Sequence, residues 1–286
     1  MSVKAPERKP RDDEIDVFGL THIGKVRTKN QDHFLLASVH KRVQVLSTSL
    51  SDVQQLPLGD QRVAFIMMVG DGVGGTEGGE RASATALEIA MQYVVSSTDC
   101  YFRADSTDAD FINALQDAAM RAHNVVLERA KTDPEARRMA TTLTLFMGVW
   151  PRAYLLQIGD SRYYLYRDGK LNQITRDQTV GQDLIDDGVF TRAIAARSSY
   201  SNVLSSAIGG PQTTPVVTRL QADWGNTHLL CSDGLTKHVS DERIAERLET
   251  MTSAKQACEA LLQDALDDGG TDNITIIVGK ATPAGD

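Results

Sequence analysis

The sequence predicts an α+β fold in which antiparallel sheets are covered by helices. Two observations carry this reading. Helix-like stretches come in pairs, and strand-like stretches come in hairpin clusters. The strict strand–helix alternation of a doubly wound parallel sheet is missing. The chain has 286 residues, 41% apolar and 24% charged, which is ordinary globular usage. That length suits one large domain or two small ones.

Along the chain, residues 1–13 are charged, proline-containing and without an apolar leader core, so they read as a disordered arm. The run 63–69 (VAFIMMV) suits a buried strand. Small and apolar residues at helical spacing follow over 83–95. Phe111, Leu115, Ala118, Ala122, Val125 and Arg129 trace one face of a helix over 110–131. Stretches 142–149, 153–158 and 161–167 read as strands, with Asp168-Gly169 turning the last of them into 170–174. Another buried strand spans 227–231. Ser240 is an N-cap with Asp241 and Glu242 in the first turn. A second C-terminal helix covers 253–266, and a β-branched strand closes the chain over 273–278. Residues 38–61 read as a loop or hairpin.

The net charge of −8 weighs against nucleic acid or an anionic membrane as the main partner. No apolar run approaches the ~18 residues of a membrane span. A soluble, cytoplasmic protein is expected. Cys100, Cys231 and Cys258 are far apart and odd in number, which argues against a disulfide framework and against a thiolate zinc site.

Chemistry concentrates where an aspartate ends or starts a strand: Asn30-Gln31-Asp32, Gly70-Asp71-Gly72, Ser232-Asp233-Gly234 and Thr271-Asp272-Asn273. A single Asp-Gly pair is most often a turn, and Asp168-Gly169, Asp187-Gly188 and Asp268-Gly269 read as that. The other aspartates differ in their longer contexts. If they converge, their charges repel, and either protons or hard cations must balance them. Two divalent ions ~3.5–4 Å apart form a known hydrolytic device. Arg27, shortly before Asp32, would then lie close enough to fork a phosphate. Gly159-Asp160-Ser161-Arg162 forms a further acidic turn. A nucleotide-binding reading of the glycines near Gly72 fails, because Glu77 stands where GxGxxG needs glycine and no GxxxxGK[ST] exists.

These blocks resemble the metal-dependent Ser/Thr protein phosphatases known as PP2C or PPM, in their bacterial form. The likeness runs in the family's order. It takes in Arg27 with Asn30-Gln31-Asp32, Asp71-Gly72-Val73-Gly74-Gly75 with Gly79-Glu80-Arg81-Ala82-Ser83, and Ala140-Thr141-Thr142. It continues through Gly159-Asp160-Ser161-Arg162-Tyr163, Ile174-Thr175-Arg176-Asp177, Ser232-Asp233-Gly234 and Thr271-Asp272-Asn273-Ile274-Thr275. The resemblance implies a four-layer α/β/β/α sandwich: two antiparallel sheets flanked by helices, forming one domain over 14–281 with a tail at 282–286. It implies two Mn²⁺ or Mg²⁺ ions. Asp71 would bridge both, Asp233 and Asp272 would hold one, the Gly72 carbonyl would help hold the other, and Asp32 would act through water or behind the ligands. Arg27 would bind the substrate phosphate, and Asp160 would contribute to a third metal.

The implied reaction is hydrolysis of phosphoserine and phosphothreonine in proteins by a metal-activated water. The implied partners are phosphorylated proteins, among them a cognate Ser/Thr kinase and its substrates, and a monomer is expected. Residues 180–200 fall where relatives carry a flap beside the active site. Gly181, Gly188 and Ser198-Ser199 are expected to let it move and select protein substrates.

The sequence departs from the family in three places. Val73 replaces the histidine that several eukaryotic relatives place after the first Asp-Gly, and Gln178 replaces another histidine. Lys237 stands where many members carry an aspartate for the third metal. An ammonium there argues against that site, and Lys237 is expected to pair with Asp160 or stand solvated. These departures admit a second reading, a regulatory binding module with a weak or inactive phosphatase site.

Overall fold

Apolar residues alternating along β3 sort themselves to two opposite faces, and that alternation organises the molecule. In this computed structural model residues 8–42, 44–49, 59–74, 77–97, 106–132, 139–195 and 197–283 are described. β3 spans Gln61–Val73. Ile66 and Met68 pack outward against helices, while Met67 and Val69 face the space between two sheets.

One sheet has the order β1 (Ile15–His22), β11 (Ile274–Ala281), β10 (Thr227–Cys231), β7 (Arg162–Arg167), β8 (Lys170–Gln173). The other has the order β2 (Asp32–Lys41), β3, β5 (Leu143–Val149), β6 (Arg152–Ile158), β9 (Val216–Gln221), with β4 (Ala140–Thr141) paired to β3. Every pairing is antiparallel.

Helices α1 (Glu77–Ser96) and α2 (Asp108–Thr132) cover the second sheet, through Ala86, Leu87, Phe111 and Leu115 against Ile66, Met68 and Leu145. Helices α6 (Asp241–Glu249) and α7 (Ala254–Asp267) cover the first, through Ile244, Leu248, Leu261 and Ala265 against Leu229, Ile276 and Val278. Phe146, Leu155, Tyr163, Leu230 and Ile277 fill the gap between the sheets. The four-layer sandwich implied by the resemblance is the fold observed. Short helices α3 (Val180–Asp186), α4 (Arg192–Ala195) and α5 (Asp233–Thr236) lie in connections.

Local chemistry explains the turns and caps. Asp168 and Gly169 have φ of 50° and 76°, the paired positive values of a tight β7–β8 hairpin. Ser240 caps α6 by accepting from the Arg243 N–H. In the β2–β3 ladder the register shifts only between Val39 and His40.

Part of the segment expected as a disordered arm is ordered against the fold. Residues 1–7 lie outside the described residues, but the segment from Arg8 is docked. Arg8 forks the Glu14 carboxylate at 2.6 and 2.7 Å, and the Trp224 indole donates to the Arg8 carbonyl at 3.0 Å. Arg62 binds Asp12 and the Pro10 carbonyl. Asp12 and Lys9 therefore have their partner, Arg62, on β3, while Arg8 and Arg11 pair with Glu14 inside the segment itself. A cavity of about 100 Å³ lies under this strap, lined by Phe65, Met67, Phe146, Trp150 and His228, and it holds none of the site aspartates.

His228 shares a 2.5 Å hydrogen bond with Tyr163 and packs on Phe146, and burial pulls its pKa down to about 4. Folded His228 therefore stays neutral while the unfolded residue takes a proton near pH 6.5. Stability from this residue is full above about pH 6.5 and is lost as pH falls towards the folded value. Allowing for access from the cavity, the loss is about 2 kcal/mol. His228→Gln should flatten the acid side of the pH–stability curve measured by urea unfolding.

Candidate active site

Register brings the first two aspartates together: Asp32 opens β2 directly opposite Asp71 on β3. Asp233 follows β10, and Asp272 precedes β11, its immediate neighbour in the other sheet. The sandwich thus delivers aspartates from both sheets to one edge.

Hydrogen bonds cross between the sheets there. Ser232 Oγ and Thr275 Oγ1 each donate to Asp32 Oδ2 at 2.7 Å. Asn273 ties the loop before β2 to β11, accepting from the Gln31 N–H at 2.9 Å and donating to the carbonyls of Ile23 at 2.9 Å and Lys29 at 3.0 Å. That loop carries Arg27, whose Nε and Nη2 fork the Asp272 carboxylate at 2.7 and 2.9 Å.

Electrostatics divides the cluster into two edges. Burial, then the charges of Asp32, Asp233, Asp160 and Asp272, push the Asp71 carboxyl well above its usual range. Burial also raises Asp32 to about 6 against the pull of its two hydroxyl donors. Asp160 rises to about 8 through burial and the charges of Asp233 and Asp177. Asp233 is raised by burial, opposed by Lys237. Asp272 is the exception: burial works upward, but the hydrogen bonds from Arg27 and Lys237 hold it below the usual value.

Asp32 Oδ1 and Asp233 Oδ1 are buried with no hydrogen-bond partner. Such oxygens are costly unless something positive meets them. Among the described residues no three His, Cys, Asp or Glu side chains are drawn into a closed ligand set. The donor chemistry nevertheless fits hard cations, with carboxylate oxygens only, crowded, mutually repelling and partly orphaned.

Lys237 neither pairs with Asp160 nor stands solvated, the two alternatives that the sequence left open. Its Nζ lies 2.6 Å from Asp233 Oδ2 and 2.8 Å from Asp272 Oδ2. The reason is geometric: Lys237 is one turn beyond Asp233, and its N–H bonds the Asp233 carbonyl at 2.9 Å. Gln178, in place of the family's histidine, clamps the turn before Asp160. It accepts from the Gly159 N–H at 2.8 Å and donates to the Thr214 carbonyl at 3.0 Å.

Close packing fixes the glycines beside the aspartates. A Cβ on Gly72 would meet the Gly79 carbonyl at 2.3 Å, and one on Gly234 the Asn273 carbonyl at 1.9 Å. Both contacts are with backbone, so neither can yield cheaply. Gly234→Ala is expected to cost more than ~3 kcal/mol, through overpacking at a site that also sets the Asp233–Asp272 spacing. A drop in thermal midpoint together with lost activity would be the measured result.

Beside the cluster lies a cavity of about 260 Å³ lined by Asp160, Arg162, Asp177, Arg192, Asp233 and Lys237, among others. The 180–200 segment forms its wall through Gly181, Gln182, Ile185 and Ala195. Gly181 was expected to give freedom. A Cβ there would sit 3.0 Å from the Tyr200 carbonyl, so the glycine serves close approach in this conformation. Cys231 is fully buried and its thiol is pushed up to about 12, so it offers no nucleophile.

The roles of Ser232, Thr275, Asn273 and Gln178 were not read from the sequence. Each lies within or next to a motif block; only Thr275 stands in a strand, β11, where its polarity among apolar neighbours was an available signal.

Known proteins are similar to this chain in sequence and in fold. PstP, a serine/threonine protein phosphatase of Mycobacterium tuberculosis, is 37% identical over 216 residues, covering 75% of this chain and 40% of the relative. The chain thus spans 40% of the length of that curated relative. The protein phosphatase PhpP of Streptococcus pneumoniae is 27% identical over 269 residues, covering 92% of this chain and 96% of the relative. The crystal structure of the PstP catalytic domain in complex with 2 manganese ions superimposes with a TM-score of 0.71 at 28% identity, covering 94% of this chain and 99% of that one. The family model described as Protein phosphatase 2C matches residues 55–268, a span that contains Asp71, Asp160 and Asp233, while Arg27, Asp32 and Asp272 lie outside it. A match of that extent, on this sandwich, means that the chain belongs to the protein phosphatase 2C family.

Proposed function

We propose that the chain hydrolyses phosphoserine and phosphothreonine in proteins, with two Mn²⁺ or Mg²⁺ ions held by its aspartate cluster. The single observation that carries this is the crowded, cation-hungry set of buried Asp32 and Asp160 with half-buried Asp71 and Asp233, beside an arginine on a loop. The manganese in the PstP structure and the names of the relatives support the same reading.

Asp71 would bridge the two ions, Asp233 and Asp272 would hold one, and the Gly72 carbonyl would help hold the other. Asp32, bound by Ser232 and Thr275, would act behind them, and Asp160 would serve a third position. When bound, the ions would supply an activated water and offset the charge of the cluster.

The chain's own part is binding and orientation. The Arg27 side chain is 49% exposed. It can therefore turn its planar fork from Asp272 to the phosphoryl oxygens. Val73, 39% exposed, offers no proton for the leaving alkoxide.

Among the described residues no helix is long and apolar enough to cross a membrane. A cytoplasmic monomer opposing a Ser/Thr kinase is the setting proposed. The 180–200 segment, walling the cavity next to Asp233, would select protein substrates. Replacing it by a short linker should lower activity on phosphoproteins at least ~10-fold more than on p-nitrophenyl phosphate.

One observation favours the second reading, a binding module with a weak site: Lys237 and Arg27 both occupy Asp272. Hydrolysis of a phosphothreonine peptide and of p-nitrophenyl phosphate, with and without Mn²⁺, separates the two. Mn²⁺-dependent turnover supports the phosphatase. No turnover of either substrate with Mn²⁺ present would leave the binding module.

A further inference from the structure

Lys237 is the feature that the family pattern does not explain. Its ammonium reaches Asp233 and Asp272 together, at 2.6 and 2.8 Å. Under the proposed function these same two carboxylates share a metal ion. Among the described residues, no ion pair joins Asp32, Asp71 or Asp160 to a lysine or arginine. The cluster therefore has one edge already neutralised and one edge bare.

Arg27 and Lys237 differ in what they can do next. Arg27 stands on a loop with half its side chain in solvent. The Lys237 side chain is 29% exposed, the residue closes α5, and the residue after it is clamped. His238 Nδ1 bonds Asp268 Oδ2 at 2.9 Å, and its Nε2 accepts from the Thr271 N–H at 2.9 Å. The backbone at 237–238 is thus tied to the loop that carries Asp272, and the ammonium stays close whatever Arg27 does. A cation held on a short tether acts at high effective concentration.

We infer that Lys237 is a built-in cation at the Asp233–Asp272 edge, which makes the two metal positions unequal because the weaker one fills only as the ammonium is displaced. This inference rests on the proposed two-metal reading of the site. It gives Lys237 two effects: it holds the two carboxylates together before metal arrives, and it competes with the ion that binds them.

The test is Mn²⁺ titration by isothermal calorimetry on the full chain, for wild type, K237M, K237Q and K237R. Wild type should show one tight and one weaker site. In K237M and K237Q the weaker site should tighten by about 10-fold or more, the scale on which groups around a metal site move its affinity. K237R keeps the charge and should keep the weak site. Unchanged affinities in both neutral variants would overturn the inference, as would equal tightening in K237R. Wild type that binds no Mn²⁺ would instead overturn the two-metal reading itself. Two neutral variants are used so that poor folding of one does not remove the test, and circular dichroism identifies which is folded.

Discussion

Asp71→Asn is expected to abolish hydrolysis while making the metal-free protein harder to unfold. Asp71 is half-buried among four other carboxylates, and its own is pushed well above the usual range by desolvation and by their charges. A carboxyl raised in the folded state contributes most stability below its unfolded pKa and loses it as pH rises through the folded value. At neutral and alkaline pH the wild-type cluster therefore strains the fold, and a neutral amide of the same shape relieves it. The same amide cannot neutralise or bridge divalent ions, so turnover should fall on the order of 10³-fold or more. Thermal melts with and without Mn²⁺ complete the test. Metal should raise the midpoint of wild type and do little for Asp71→Asn. A variant that is both less stable without metal and still stabilised by Mn²⁺ would contradict this account.

Arg27→Ala is expected to lower kcat/KM by ~10²-fold, the scale of one lost charge-assisted contact to a transferring group. Arg27→Lys should recover only part of this, since an ammonium cannot reproduce the planar two-donor fork now seen on Asp272. The fold should scarcely notice either change. The Arg27–Asp272 pair is half exposed on the arginine side, and such pairs contribute at most about 1 kcal/mol. Steady-state kinetics on a phosphothreonine peptide, with a melting curve alongside, would show the two effects separating. Loss of stability comparable to the loss of activity would mean that Arg27 is a structural strut.

Sequence and structure agree where a pattern has a strong physical cause. The VAFIMMV run lies inside β3, the Phe111–Leu115–Ala122 stripe lies on α2, and Ser240 caps α6. Asp168-Gly169 turned where positive φ demanded it. Strands β1, β2 and β9 were not delimited beforehand. Their burial is partial, as the mixed exposure along Ile15–His22 and Val216–Gln221 shows, so neither a solid apolar run nor a clean alternation marks them. They are the outer strands of their sheets, defined by their neighbours more than by themselves.

At the site, strand-end aspartates pointed to Asp32, Asp71, Asp233 and Asp272 with Arg27 nearby, the family resemblance added Asp160, and the sandwich gathers them. Partner choice within the group was not legible. Whether Lys237 meets Asp160 or Asp233 depends on one helical turn and on the His238 clamp, neither of which a linear spacing reports. The docked Arg8–Glu14 strap was hidden for the same reason, because its partners Arg62 and Trp224 are remote in sequence.

The register shift between Val39 and His40 gives the β2–β3 hairpin a tolerant end and an intolerant one. Residues added to or removed from the 42–60 crossing can be absorbed there, because the price of closing a longer loop grows only slowly with its length. A graft at that tip, such as an affinity tag or a fluorescent reporter, should therefore leave Asp32 facing Asp71. An insertion of one residue on the near side, between Asp32 and Leu36, would reverse every inward and outward side chain up to the mouth of the site.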